Sequence, residues 1–307
     1  MADIEQGTYR LQSDEDAGGG VRRVIVGRLE KTSERLREAD GGSDALVEAI
    51  HGARKDLKKA RAALRLIREE IGGQTFKREN HALRGAARLL SASRDAEVKP
   101  TTLDALVADT DGGAPPAATA LWRDALVADR DRIVDAEGDR REDAIAAIEA
   151  VAARAPGWSI RHTGWKLLAP GLDTAYRDGR HAFLTLSSAA PGPDGSHELR
   201  KRGKDLWYQL RLLGDAWPAV LEATAEEIHA FTDLLGDHHD LAVLAADLAG
   251  REAVDPAHRD RLGELIEARQ TRLLAAALSA GERVYAEKPK AFRRRLHAYW
   301  RAWRRPA

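Results

Sequence analysis

An all-α fold follows from three features of this 307-residue sequence. Alternating β-branched runs bounded by hairpin turns are nearly missing. Ala, Leu, Arg and Glu recur at helical spacing. Breakers then cut the chain into long segments: Gly18-Gly19-Gly20, Gly41-Gly42, Gly72-Gly73, Gly112-Gly113 with Pro115-Pro116, Pro156-Gly157, Pro170-Gly171, Pro191-Gly192-Pro193, Pro218, Pro256 and Pro289. With 43% apolar and 32% charged residues the chain can bury a core of one large domain or two ordinary ones. The absence of Cys excludes disulfides, thiol nucleophiles and cysteine zinc sites. No run approaches about 18 consecutive apolar residues, so no membrane span is expected. The start Met1-Ala2-Asp3-Ile4-Glu5 is acidic where a secretory signal would be basic and then apolar, which makes the cytoplasm the expected location.

In chain order, residues 1–20 read as a flexible segment, followed by a first helix with Arg22, Arg23 and Arg28. Asp44 to Ile71 reads as one helix, with Ser43 as N-cap, Gly72-Gly73 as its stop and only Gly52 inside. At ~1.5 Å per residue it spans roughly 40 Å, a length that suits a helical bundle. The next helix sets Lys77, His81, Arg84 and Arg88 on one face. The stretch Glu97 to Glu149 holds 13 acidic and 6 basic residues, whereas Arg54 to Arg68 holds 7 basic and one acidic. The last twenty residues hold 8 basic and no acidic ones, so the net charge of zero conceals strong segregation.

The sequence repeats itself. His51, Arg54, Lys55 and Lys58 recur as His197, Arg200, Lys201 and Lys204 at an offset of 146, with Leu64-Arg65-Leu66 matching Leu210-Arg211-Leu212. Leu89-Leu90 and Asp95 then match Leu234-Leu235 and Asp240 at an offset of 145. Two related helical halves are expected, over about 21–155 and 156–305.

At 100° per residue the repeated helix has two faces. His51, Arg54, Lys55, Lys58, Arg61, Arg65 and Arg68 share one arc; Ala53, Leu57, Ala60, Ala63, Leu64 and Ile67 share the other. The second copy sorts alike, with His197, Arg200, Lys201, Lys204 and Arg211 opposite Leu199, Gly203, Leu206, Leu210 and Leu213. Most charged faces are merely solvated, but those interleave both signs. A nearly single-signed face, present twice, points to an anionic ligand. Arg offers a planar fork and Lys a mobile point charge to phosphate oxygens, so a phosphate polymer suits a long rail of cations.

His51-x-x-Arg54-Lys55-x-x-Lys58 and its twin His197-x-x-Arg200-Lys201-x-x-Lys204 resemble the conserved histidine α-helical domain family, CHAD. Supporting motifs are Leu90-x-x-x-Arg94-Asp95, Leu235-Gly236-x-x-His239-Asp240, Tyr176-Arg177-Asp178-Gly179-Arg180 and the run from Lys288 to Trp300. The resemblance implies a single domain over 21–305, built as two four-helix bundles about a pseudo-two-fold axis with a basic groove or pore between them. It also implies inorganic polyphosphate as ligand, no cofactor and no catalysis, and often a place on polyphosphate granules. The expected contacts are His51, Arg54, Lys55, Lys58, Arg61, Arg65, His197, Arg200, Lys201, Lys204 and Arg211. Arg22, Arg23, Arg28, Lys77, His81, Arg84, Arg88, Arg177, Arg180, His239 and Arg294 form a second tier. Members of the family are often fused to a CYTH-type triphosphatase domain; the first twenty residues cannot hold one, so that activity is not carried over.

Two other readings stay open. His238-His239-Asp240, with His197, His229, Asp233, Asp237 and Asp247, offers a foothold for a metal-dependent phosphohydrolase. Arg293-Arg294-Arg295, Arg301, Arg304 and Arg305 among Tyr299, Trp300 and Trp303 offer one for nucleic-acid binding. Three consecutive arginines span about 200° of a helix, however, and cannot all face one ligand.

Overall fold

The computed structural model describes residues 9–39, 43–110, 112–135, 138–188 and 193–305, without the side chains of 43–44, 92–95, 134–135, 138–139 and 193–194. The first eight residues, Gly41-Gly42, Pro191-Gly192, the Ser43 cap and the side chains of Arg94 and Asp95 therefore lie outside the described residues. Among the described residues there are twelve α-helices and no strand. They are α1 (Ala17–Arg37), α2 (Ser43–Leu66), α3 (Arg68–Ile71), α4 (Gly73–Leu89), α5 (Ser91–Ala108), α6 (Pro116–Asp135), α7 (Gly138–Arg154), α8 (Trp165–Ser188), α9 (Pro193–Leu212), α10 (Pro218–Ala249), α11 (Pro256–Val284) and α12 (Pro289–Trp303). Pro218, Pro256 and Pro289 each open a helix, where a missing backbone N–H costs nothing.

In the first part of the chain, α1 packs along α2 and α7, α7 along α4, and α4 along α2. Leu29, Leu57, Leu64, Leu83 and Ile148 are fully buried in the bundle this closes. Later in the chain α9 lies between α8 and α10, α11 runs along α10, and α12 covers α8 by stacking Phe292 on Tyr176 at 3.9 Å between ring centroids. Helices α2 and α9 join the two bundles. The two-half reading is compatible with this pairing, with one change. Helices α5 and α6, expected within the first half, touch α2 there and also pack on α10 and α11. There Leu103, Leu106, Trp122 and Leu126 meet Leu241, Leu244, Leu248, Leu262 and Ile266 in a second core. The first half breaks at Leu90 between α4 and α5, whereas α10 runs unbroken through the matching Leu235 for 32 residues. That break redirects α5 and α6 onto the far end of the longer helices.

Three local expectations are corrected. Residues 9–16 are not loose: Tyr9 and Leu11 are buried, the Tyr9 hydroxyl donates to the Lys59 carbonyl at 3.0 Å, and the Leu11 N–H donates to the Leu212 carbonyl at 2.9 Å. Helix α2 stops at Leu66 rather than Ile71. Pro170-Gly171 does not break α8; the proline forfeits one backbone bond, and the glycine admits α2, since a Cβ at Gly171 would collide with the Leu66 carbonyl. That close approach falls where α2 ends, and Gly72, at φ +81°, makes the turn into α4.

Candidate functional site

The helical arcs sort as their periodicity dictates. Ala53, Leu57, Ala60, Ala63, Leu64 and Ile67 are buried, as are Leu199, Gly203, Leu206, Leu210 and Leu213. On the opposite arcs His51, Lys55, Lys58, His197 and Lys201 are exposed, while Arg54, Arg61, Arg65, Arg200, Lys204 and Arg211 are half-buried.

Two contacts fix how α2 and α9 meet. Arg65 pairs with Asp205 at 2.8 Å, and the Gln209 amide donates to the Ala62 carbonyl at 3.2 Å. As the number rises along α2 it falls along α9, so the helices cross antiparallel. His51 and His197 then lie at opposite ends, each some 16–18 Å from the crossing at ~1.5 Å per residue. The two cationic faces are arranged end to end, not side by side, and they converge on Asp205. Burial pushes its carboxyl above the usual range against the pull of Arg65, Arg202, Arg61 and Lys201, cations drawn from both helices.

Helix α4 flanks the α2 side of this track. Arg61 donates to the Asn80 side chain at 3.1 Å, and Arg54 donates to the Ala87 carbonyl at 2.7 Å and the Leu90 carbonyl at 3.2 Å, at the negative end of the helix dipole. Burial lowers Arg61 to about 10; neighbouring Arg65 and Arg84 add to that fall, and Asp205 opposes it. Few environments move a guanidinium downward. Lys77, His81, Arg84 and Arg88 are exposed along α4, and Arg84 is close enough to Arg61 to disfavour its charge.

The α9 side is flanked by α10. Lys204 and His229 both bind Asp233 at 2.8 Å, and Lys201 binds Glu198 at 2.9 Å. Trp207 is buried with its ring 4.0 Å from that of His229, and Lys204 and Arg211 lie over the indole. Rings of His197 and His239 stand 5.2 Å apart, which brings second-tier His239 to the track. Burial lowers the His197 pKa, helped by His239, Lys201 and Arg200. The nearly single-signed rail expected from helical wheels is therefore corrected for the second half. Along this arc α9 itself supplies the carboxylates of Glu198 and Asp205, and α10 supplies that of Asp233, so cations and carboxylates alternate there.

Several second-tier residues are placed elsewhere. Arg28 is buried and pairs with Asp56, which also receives Lys59 and Arg35; it is a core ion cluster, not groove lining. Arg22 donates to the Trp158 carbonyl, and Arg23 is held by Glu15 at 2.7 Å. Arg180 donates to the Tyr285 carbonyl at the end of α11, and Arg177 sits among Asp173 and Asp178 of its own helix. Arg294 is exposed on α12. The contacts of Arg28, Arg22, Arg23, Arg177 and Arg180 therefore lie outside the track. Sequence reasoning missed Arg10, which pairs with Asp215 and Glu222 and, with Trp207, Arg211 and His229, lines a cavity of about 140 Å³. Its signal was the Tyr9-Arg10-Leu11 run, in which an arginine between two apolar residues suggests packed chain.

Among the described residues no group of three or more His, Asp and Glu is arranged to hold a metal ion. No described helix is long and apolar enough to cross a membrane. No curated protein matches the chain. Among solved structures, PptA from Streptomyces chartreusis matches with a TM-score of 0.66 at 16% identity, over 89% of this chain and 100% of that one. The CHAD domain from the plant Ricinus communis matches with a TM-score of 0.57 at 19% identity, over 94% of each chain. At these identities the likeness is one of fold. The family model for the CHAD domain matches residues 27–249, a span that takes in both histidine motifs and the crossing of α2 and α9, and the chain belongs to the CHAD domain family.

Proposed function

We propose that the protein is a non-catalytic holder of inorganic polyphosphate, which lies along the α2–α9 track and contacts His51, Arg54, Lys55, Lys58, Arg61, Arg65, His197, Arg200, Lys201, Lys204 and Arg211. The supporting observation is the meeting of cations from both repeated helices around Asp205, with Arg61 disfavoured in its charged form first by burial and then by Arg65 and Arg84. Cations held this close repel one another, so a bound polyanion stabilises the site by relieving that repulsion. An end-to-end arrangement favours a linear polymer over a compact anion. Membership of the CHAD domain family supports the same ligand, and association with polyphosphate granules belongs to this proposal.

Calorimetric titration tests it. Replacing Lys55, Lys58, Lys201 and Lys204 with Glu should abolish polyphosphate binding while the helical circular-dichroism signal and melting temperature hold. Binding that survives this variant would remove the track as the site. Single-stranded nucleic acid shares the steep salt dependence of counter-ion release, so competition separates the two ligands. Polyphosphate should displace nucleic acid readily, and the reverse should require large excess.

A further inference from the structure

A charged face opposite in sign to the track lies along α1 and α7. Glu30 and Glu34 on α1 and Glu38 at its C-cap follow one another one turn apart, and all three are exposed. Like charges so spaced repel, and the row runs toward the negative end of the helix dipole, which favours cations. Among the described residues neither these three carboxylates nor Lys31 beside them forms an ion pair; Glu149 of α7 forms one, with Arg37. Together they line a groove of about 580 Å³ whose floor includes Leu29, Ser33 and Ala152. Ser33 is 2% exposed, and its hydroxyl has no hydrogen-bond partner. Its neighbour Thr32 donates back to the Arg28 carbonyl at 2.6 Å, the usual outlet for a helical hydroxyl, and Ser33 makes no such bond. Three residues after Glu30 and four before Arg37, Ser33 shares the helical stripe that faces the groove. No three described carboxylates converge as metal ligands do, so the groove suits a cation whose charges are spread along a chain.

The geometry points to a binding site for a linear aliphatic polyamine in the α1–α7 groove, with Glu30, Glu34, Glu38 and Glu149 facing its ammonium groups and Ser33 accepting from one of them. Each step from i to i+4 rises about 6 Å along the helix. Two ammonium nitrogens joined through four methylenes lie about 6 Å apart when the five bonds, each about 1.5 Å, are extended. A triamine with three- and four-carbon spacers therefore covers most of the roughly 12 Å from Glu30 to Glu38, and its methylenes lie over Leu29 and Ala152. Four carboxylates against the single guanidinium of Arg37 keep the groove anionic even with Glu149 paired. None of these residues belongs to the track, so the site stands apart from the polyphosphate reading.

The test is calorimetric titration of the full chain with spermidine, 1,4-diaminobutane and butylamine at low salt and without polyphosphate, alongside melting curves. Spermidine should bind one per molecule and more tightly than the diamine, and butylamine should give no binding heat. Replacing Glu30, Glu34 and Glu38 together with Gln should weaken spermidine by about tenfold or more. Its melting temperature should hold or rise, because the repulsion along α1 is relieved. Ser33→Ala should weaken spermidine about threefold without lowering the melting temperature, since the hydroxyl has no bond within the protein to lose. A serine that served packing alone would leave the affinity unchanged. No spermidine binding by the wild type, or full affinity retained in either variant, overturns the inference. Displacement of spermidine by an equal concentration of magnesium also overturns it, since the groove would then hold only a diffuse counter-ion cloud.

Discussion

His197 shows how burial and crowding prepare a side chain for an anion. Its imidazole is disfavoured in the charged form first by burial, then by His239, Lys201 and Arg200. A polyphosphate laid against the same ring reverses the sign of its surroundings and raises the pKa, so binding takes up a proton. The affinity should therefore climb as pH falls from neutrality through the ligand-bound pKa of His197, and level off once pH is below its lowered free value. Calorimetry across pH 5.5–8 measures this, and the double variant His51→Gln, His197→Gln should flatten the profile. Asp56 illustrates the opposite, structural use of charge. Burial raises its carboxyl, but Lys59, Arg28 and Arg35 outweigh that and hold it below the ordinary value. A depressed carboxylate stabilises the fold above its unfolded pKa of ~3.9, and that contribution disappears as pH falls through the native value. Asp56→Asn should destabilise the protein by about 3–5 kcal/mol in urea titration at neutral pH. It should also remove part of the acid sensitivity. Arg28 was misread because arginine usually signals surface, although Val21, Ile25 and Thr32 around it mark a buried helical face.

Among the helices, the arcs of α2 and α9 were legible in the sequence because the 3.6-residue period alone decides which side chains share a face. Where those faces lead was not. Partners such as Asp233 depend on which helix packs alongside, and nothing in the local pattern of α10 announces that its aspartates turn toward α9. The position of α5 and α6 was hidden for the same reason: their apolar residues fit any bundle, and the break at Leu90 selects α10 and α11. Trp122 anchors this packing, with its ring fully buried and its indole N–H donating to Asp247 at 3.0 Å. Burial raises Asp247, yet hydrogen bonds from Arg251, Lys99 and Trp122 bring it down to about 2. Trp122→Ala should cost about 3–5 kcal/mol from the lost ring, with a further penalty for weakening a polar cluster. Thermal unfolding measures the loss. Polyphosphate affinity should be unchanged at temperatures where the variant remains folded, because this core lies away from the α2–α9 crossing.

At the scale of the whole molecule, α2 and α9 meet in an antiparallel crossing that sets their two basic runs end to end, which is what the proposed single path rests on. The repeated motif announced two equivalent cationic helices; their end-to-end arrangement required the pairing of Arg65 with Asp205 and of Gln209 with Ala62. A wheel cannot supply that, since it assigns faces without relating one helix to another. Continuity across the crossing is the central claim, and titration of a long polyphosphate into two half-track variants, Lys55→Glu with Lys58→Glu and Lys201→Glu with Lys204→Glu, tests it most directly. A continuous path predicts one long chain per protein molecule in the wild type and weaker binding in both variants. Two chains bound per molecule, or full affinity retained after charge reversal in either arm, would contradict it.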